Sequence, residues 1–193
     1  MFNSVKTKST VVANSASDRL RAELLDYLAS HHVMTIASCR ANIPWAAAVF
    51  YASADFVLYF LSNPKSRHGT NIAENSQVSA AIHEDYHDWR KIRGIQLEGR
   101  AERLGSIRQQ AEFWRIYEKK FPFVKEFFQA GSLRTMLSTK ITGIRLYRII
   151  PSQVYFIDNS KGFGHREVLR TPLRSSLSRS SRTSPDADFP SEE

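Results

Sequence analysis

The stretch YFLSNPKSRHGTNIAENSQVSAAI, residues 59–82, decides how the rest of the chain is read. It begins inside an apolar run, 56–61, with Phe56, Leu58 and Phe60 on one face and Val57 and Tyr59 on the other, the period of a strand. Asn63 and Pro64 then turn the chain. A short helix is predicted over 66–74, and 78–82 is the next strand. A helix start offers free N–H groups and the positive end of a dipole, which suits a phosphate. Ser62 and Ser66 add hydroxyls, Arg67 a planar fork of donors, and His68 one donor more. An ordinary capped turn has the same composition, so this segment alone leaves both readings open.

Upstream, Ser15, Ser17 and Asp18 supply helix-start chemistry, and Leu20, Leu24, Tyr27 and Leu28 recur at helical spacing up to His31 and His32. The pattern then becomes extended. Strands are predicted over 33–38 and 46–52, with a turn at 42–44 between them. Downstream, a polar loop fills 83–91. Residues 95–103 alternate, with Ile95, Leu97, Gly99 and Ala101 on one face and Gln96, Glu98, Arg100 and Glu102 on the other. Helical spacing returns over 107–121 through Ala111, Trp114, Tyr117 and Phe121, and Pro122 breaks it. A second short helix is predicted over 123–130. The last strands are predicted at 141–150 and 153–157, parted by Pro151. The fold class this implies is α+β, an antiparallel split β-barrel with flanking helices, in one domain over 15–170. Residues 1–14 and the Ser/Arg-rich tail, 171–193, read as disordered flanks.

The net charge is +8, and it belongs to the body, because three arginines and four carboxylates nearly cancel in the tail. That excess favours an anionic partner. Basic residues interleaved with exposed aromatic ones are not evident, so nucleic acid ranks low. No apolar run approaches the roughly 18 residues of a membrane span, and no secretory leader is visible, so no membrane association is expected. Cys39 is the single cysteine and fits a cytoplasmic setting.

Residues 59–82 resemble the block of the pyridoxamine 5'-phosphate oxidase family in which a strand leads into Thr/Ser-Asn-x-x-Ser-Arg-Lys and a helix. RGIQLEGRAERL, residues 93–104, resembles that family's Arg-Gln-Val-x-Val-x-Gly-x-Ala-Glu-x-Leu strand. The sequence Pro44-Trp45, the loop ending in Trp89, and DNSKGFGHR at 158–166 look closest to its YhbP-like branch. The resemblance implies an FMN-binding split barrel working as a homodimer, with two flavin sites at the interface lined by both subunits. It places Ser62 at the family's strand-end Thr, Arg67 and His68 at the Arg-Lys pair that holds the FMN phosphate, and Arg93 beside the flavin strand. The family's Gln near the ring is Gly94 here, while Gln96 shares its face. The run 44–52 has no basic residue where the oxidase has an Arg and a Lys.

A second candidate stretch is KGFGHR, 161–166. Phe163 is suited to covering a flat ring, and His165 to donating a hydrogen bond, moving a proton as the candidate catalytic residue, or binding haem iron. Some haem-binding split barrels carry a similar Gly-Phe-Gly segment. A flexible exit from the last strand is the plainer reading. The histidines and aspartates of 83–88 are read as a solvated loop, with no metal assigned. Three functions follow: a flavin-dependent oxidoreductase with an unknown small-molecule substrate, a haem-binding or haem-degrading barrel, and a binding module that has lost its flavin.

Overall fold

The computed structural model describes residues 15–127 and 143–169. The expected flanks, 1–14 and 171–193, and most of the region between the second short helix and the last strands, lie outside the described residues. Helix α1, Ala16–Ser30, starts where the Ser15 hydroxyl accepts from the Asp18 N–H, and buries Leu24, Tyr27 and Leu28. Strands β1, Val33–Arg40, and β2, Ile43–Ala54, form a hairpin. Its two turn residues are Ala41 and Asn42, both with positive φ, which two-residue hairpins favour. The predicted turn at 42–44 therefore sits slightly late, and Pro44 is already in the strand opposite Cys39.

Strand β3, Val57–Ser62, follows, then helix α2, Arg67–Glu74, and strand β4, Gln77–His83. Strand β5, Arg93–Arg103, shows the predicted alternation, and helix α3, Ile107–Lys120, starts on a capping box made by Ser106 and Gln109. A short helix α4, Val124–Phe127, covers the start of the predicted 123–130 helix, whose remainder lies outside the described residues.

The last strands differ from expectation. A single strand β6, Arg145–Asp158, runs through Pro151. Proline removes a ladder donor, but here β6 changes partners: β3 covers Arg145 to Ile149, and β7, Arg166–Leu169, covers Val154 to Ile157. On the other side, a bulge at Glu98 and Gly99 absorbs the irregularity. β7 has no counterpart among the predicted strands, and only its first residue, Arg166, falls within the 161–166 stretch.

Among the described residues seven strands run β3-β2-β1-β4-β5-β6-β7, all antiparallel, and a β3–β6 pairing closes the first six into a barrel. Met34, Ile36, Leu58, Phe60, Ile95, Leu97, Ile149 and Phe156 fill its interior. A second cluster lies outside, where Phe113, Trp114 and Tyr117 of α3 cover Ala52 of β2 and Tyr59 of β3. Each such buried aromatic side chain contributes about 1.5–3 kcal/mol of apolar transfer.

The barrel has two ends. At one, α1 packs beside the start of β5, and the Tyr27 hydroxyl donates to Arg93 O at 3.0 Å. At the other, α2 inserts Ile72 into the core, and buried Asn71 donates to the Ser38 hydroxyl at 3.1 Å. Among the described residues no helix is long and apolar enough to cross a membrane.

Candidate functional site: an anion cradle at the α2 end

Ser62 is the last residue of β3 and is buried. The chain turns through Asn63 and Pro64, and Ser66 caps α2, its hydroxyl accepting from the Gly69 N–H. Gly69 is required here, because a Cβ would stand 2.6 Å from Asn63 O and 2.9 Å from Pro64 O. The turn is thereby held tight against the helix.

Three polar groups meet inside it. His68 Nε2 shares a hydrogen bond of 2.5 Å with Ser62 Oγ and lies 3.2 Å from Ser66 Oγ, and the two hydroxyl oxygens are 3.2 Å apart. Burial lowers the His68 pKa, so the ring is neutral near pH 7. Arg67 is exposed at the first helical position, with its guanidinium 4.5 Å from the centre of the Trp45 ring. No carboxylate among the described residues pairs with it. The donors present fit a phosphate in type: one unpaired guanidinium, two hydroxyls, an imidazole and the first N–H groups of α2. A phosphate entering must exchange the Ser62–His68–Ser66 bonds, and the bond that the Ser66 hydroxyl donates to Asn63 O at 2.7 Å, for its own.

The other predicted residues lie elsewhere. Arg93 is at the α1 end, beside Asp158 and Glu23, with its guanidinium 5.2 Å from the Phe156 ring centre. Burial works against the Asp158 carboxylate, but the Ser160 hydroxyl and N–H, with Arg93, outweigh it and hold its pKa below the ordinary value. Phe163 is also at that end, 85% exposed, and its ring meets exposed Trp89 edge-on at 5.5 Å. The turn carrying it is fixed rather than loose. Asn159 donates to Trp89 O and accepts from the Gly164 N–H, and Gly162 and Gly164 take positive φ. His165 Nε2 lies 3.4 Å from a Glu167 carboxylate oxygen.

Within one chain, then, Ser62, Ser66, Arg67 and His68 come together, while Arg93, Phe163 and His165 gather at the opposite end. Ser62 pairs with Arg145 and Arg93 with Asp158, at the two extremes of β6. Gln96 falls between, on the outer face of β5. It lines a groove with Thr35, Ala37, Ala81, Tyr155 and Arg166. That hollow, about 400 Å³, adjoins one of about 490 Å³ that reaches Pro44.

Three residues at the α2 end escaped the sequence reading of the site. Trp45 stacks on Arg67, Asn71 ties α2 to β1, and Arg145 faces Ser62. An aromatic on the half of β2 that β3 does not cover and a polar position on the inner face of a short helix are weak signals, and the Ser62–Arg145 pairing has no local one.

A closed antiparallel barrel, with a capped helix start at one end and an open edge on β2, defines the split-barrel class. The chain belongs to the pyridoxamine 5'-phosphate oxidase family, whose model matches residues 20–158. A UPF0306 protein of Klebsiella pneumoniae is 30% identical over 142 residues, covering 72% of this chain and 86% of that one. The UPF0306 protein YhbP of Escherichia coli O157:H7 is 26% identical over 145 residues, 74% and 87% of the two chains. A heme binding protein from Mycobacterium smegmatis shares the fold with a TM-score of 0.58, at 20% identity over 82% of this chain and 59% of that one.

Proposed function

We propose that this protein binds FMN as a homodimer and serves a flavin-dependent redox reaction other than the oxidation of pyridoxamine 5'-phosphate. The observation that carries the reading is Arg67. It is a guanidinium without a carboxylate partner among the described residues, set at the start of α2 beside Ser62, Ser66 and His68. FMN, when bound, supplies reversible electron transfer through its ring. The chain's part is to hold the phosphate with these four residues and to place the ring at the barrel edge.

The homodimer is supported by β2. Among the described residues, 43–50 pair with β1 alone, and Ile43, Trp45 and Phe50 stand exposed there, with Val33 on β1. An open, apolar strand edge calls for a cover, and a second copy supplies one. A dimer also answers the separation of the candidate residues. A cradle from one protomer and the Arg93, Phe163 and His165 end of its partner line one site, with Gln96 on the groove between. His165, partly exposed and near Glu167, is then the group able to hold or pass a proton.

A second reading is haem. It is favoured by the fixed, exposed pair of Trp89 and Phe163, two residues before His165, a surface suited to a flat macrocycle with an imidazole at hand.

The visible spectrum of the protein titrated with each cofactor separates the two. FMN binding shows as a shift of the two-banded flavin spectrum with quenched fluorescence. Haem binding shows as a sharp Soret band that His165→Ala abolishes. A protein that changes neither spectrum sinks both readings and leaves the binding module without flavin.

A further inference from the structure

We propose that Arg145 is the second cation of the cradle and makes the site selective for a phosphate monoester dianion. This rests on the reading of the α2 end as a phosphate site. Arg145 opens β6 directly opposite Ser62 on β3. Opposed residues of an antiparallel pair leave the same face, with Cβ atoms about 4.5–5.5 Å apart. The next pair on that face is Phe60 and Tyr147, whose rings stack at 5.1 Å. Ser62 and Arg145 therefore continue the inner ladder of the barrel to its rim.

The Arg145 side chain is half-buried and incompletely satisfied. Its Nη1 donates to Ile144 O at 3.0 Å, while its buried Nε has no partner among the described residues. No carboxylate among the described residues pairs with it. A buried donor left without an acceptor is costly, and a guanidinium cannot shed its charge to escape that cost. An anion seated on Ser62 would satisfy it. The loop leading into β6 borders the same turn, since a Cβ on Gly143 would lie 3.7 Å from Asn63 Nδ2.

Charge points the same way. A phosphate monoester carries close to two negative charges near pH 7. At the helix start Arg67 supplies one positive charge and burial keeps His68 neutral, while Lys65 stands exposed in the turn before it. The family pattern has a Lys at the His68 position. Arg145 replaces the missing cation from another strand, which no local motif could reveal.

The test measures FMN and riboflavin affinities for the full-length wild type and for Arg145→Gln, Arg145→Lys and Arg67→Gln, by flavin fluorescence. Arg145→Gln is expected to weaken FMN binding about 10- to 100-fold and to leave riboflavin unchanged. Arg145→Lys, which keeps the charge, is expected to fall between it and the wild type, and decides the matter if the Gln variant unfolds. Loss of FMN affinity in Arg67→Gln but in neither Arg145 variant overturns the role of Arg145 and leaves the cradle standing. Unchanged affinity in all three variants overturns the cradle as well. If the wild type binds neither flavin, inorganic phosphate becomes the probe. A phosphate-induced rise in melting temperature that Arg145→Gln abolishes supports the proposal, and one it leaves intact overturns it.

Discussion

His68 Nε2 lies 2.5 Å from Ser62 Oγ, so an imidazole at the start of α2 is bonded to the last side chain of β3. The pair ties β3 to α2 across the turn through Asn63 and Pro64. It also brings a titratable ring to the place where an anion would sit.

Acid should weaken the fold through His68. Burial holds its folded pKa below the ordinary value of about 6.5. Between that value and the folded pKa, the unfolded chain binds more protons than the folded one. Stability is therefore lost as pH falls through this window. Melting temperatures between pH 7.5 and 5 should show a shallower acid decline for His68→Gln than for the wild type. Parallel curves would count against a buried, neutral ring.

Gly69→Ala should open the cradle. The added Cβ meets backbone oxygens of Asn63 and Pro64, which cannot swing aside as a side chain would. A loss on the order of 1–3 kcal/mol is expected, together with weaker FMN binding. Gly105→Ala is the control, with nothing within 4 Å of its Cβ. Equal denaturation midpoints for the two variants would contradict the close approach of turn and helix.

Arg93 joins three elements, through Glu23 on α1 and Asp158 on β6. Arg93→Met leaves the buried Asp158 carboxylate without its cation, and about 1–3 kcal/mol should be lost in urea denaturation. Arg90→Ala, removing an exposed pair with Asp88, should leave the denaturation midpoint nearly unchanged. If Arg93 also meets the flavin across a dimer, its variant loses more FMN affinity than Glu23→Gln does.

Lys120 reaches from the end of α3 to the end of α1. Its Nζ donates to Leu28 O at 2.9 Å and to His31 O at 2.5 Å, and lies 4.1 Å from the Tyr51 ring centre. Burial pushes its pKa down to about 8. Between about 8 and its ordinary value the unfolded chain holds the proton and the folded one releases it, so this group's contribution to stability rises with pH there. Lys120→Met should flatten that rise in melting curves taken from pH 7.5 to 10, while Leu28 O keeps the Tyr51 hydroxyl as its donor. A slope unchanged by the substitution would contradict the assignment.

The barrel was legible in the sequence because its strands alternate cleanly, as in Phe56, Leu58 and Phe60 or Ile95, Leu97 and Ala101. The turn from Ser62 to His68 was legible too, since its chemistry is local. Pro151 misled, because a proline read alone marks a break, whereas a strand changing partners beside a bulge tolerates one. β7 was missed because Arg166–Leu169 is too short to show a period. The separation of Arg93, Phe163 and His165 from the cradle, and the approach of Arg145 to it, depend on strand order and register. Those are set by pairings between distant parts of the chain, which local pattern does not encode.

The most direct test of the central claim is FMN titration of the wild type and Arg67→Ala by calorimetry, with size-exclusion chromatography to show the same assembly in both. If Arg67 grips the phosphate, the FMN dissociation constant rises about 10- to 100-fold in the variant, while riboflavin binding is unaffected. An Arg67→Ala protein that assembles normally and binds FMN as tightly as the wild type would contradict the account.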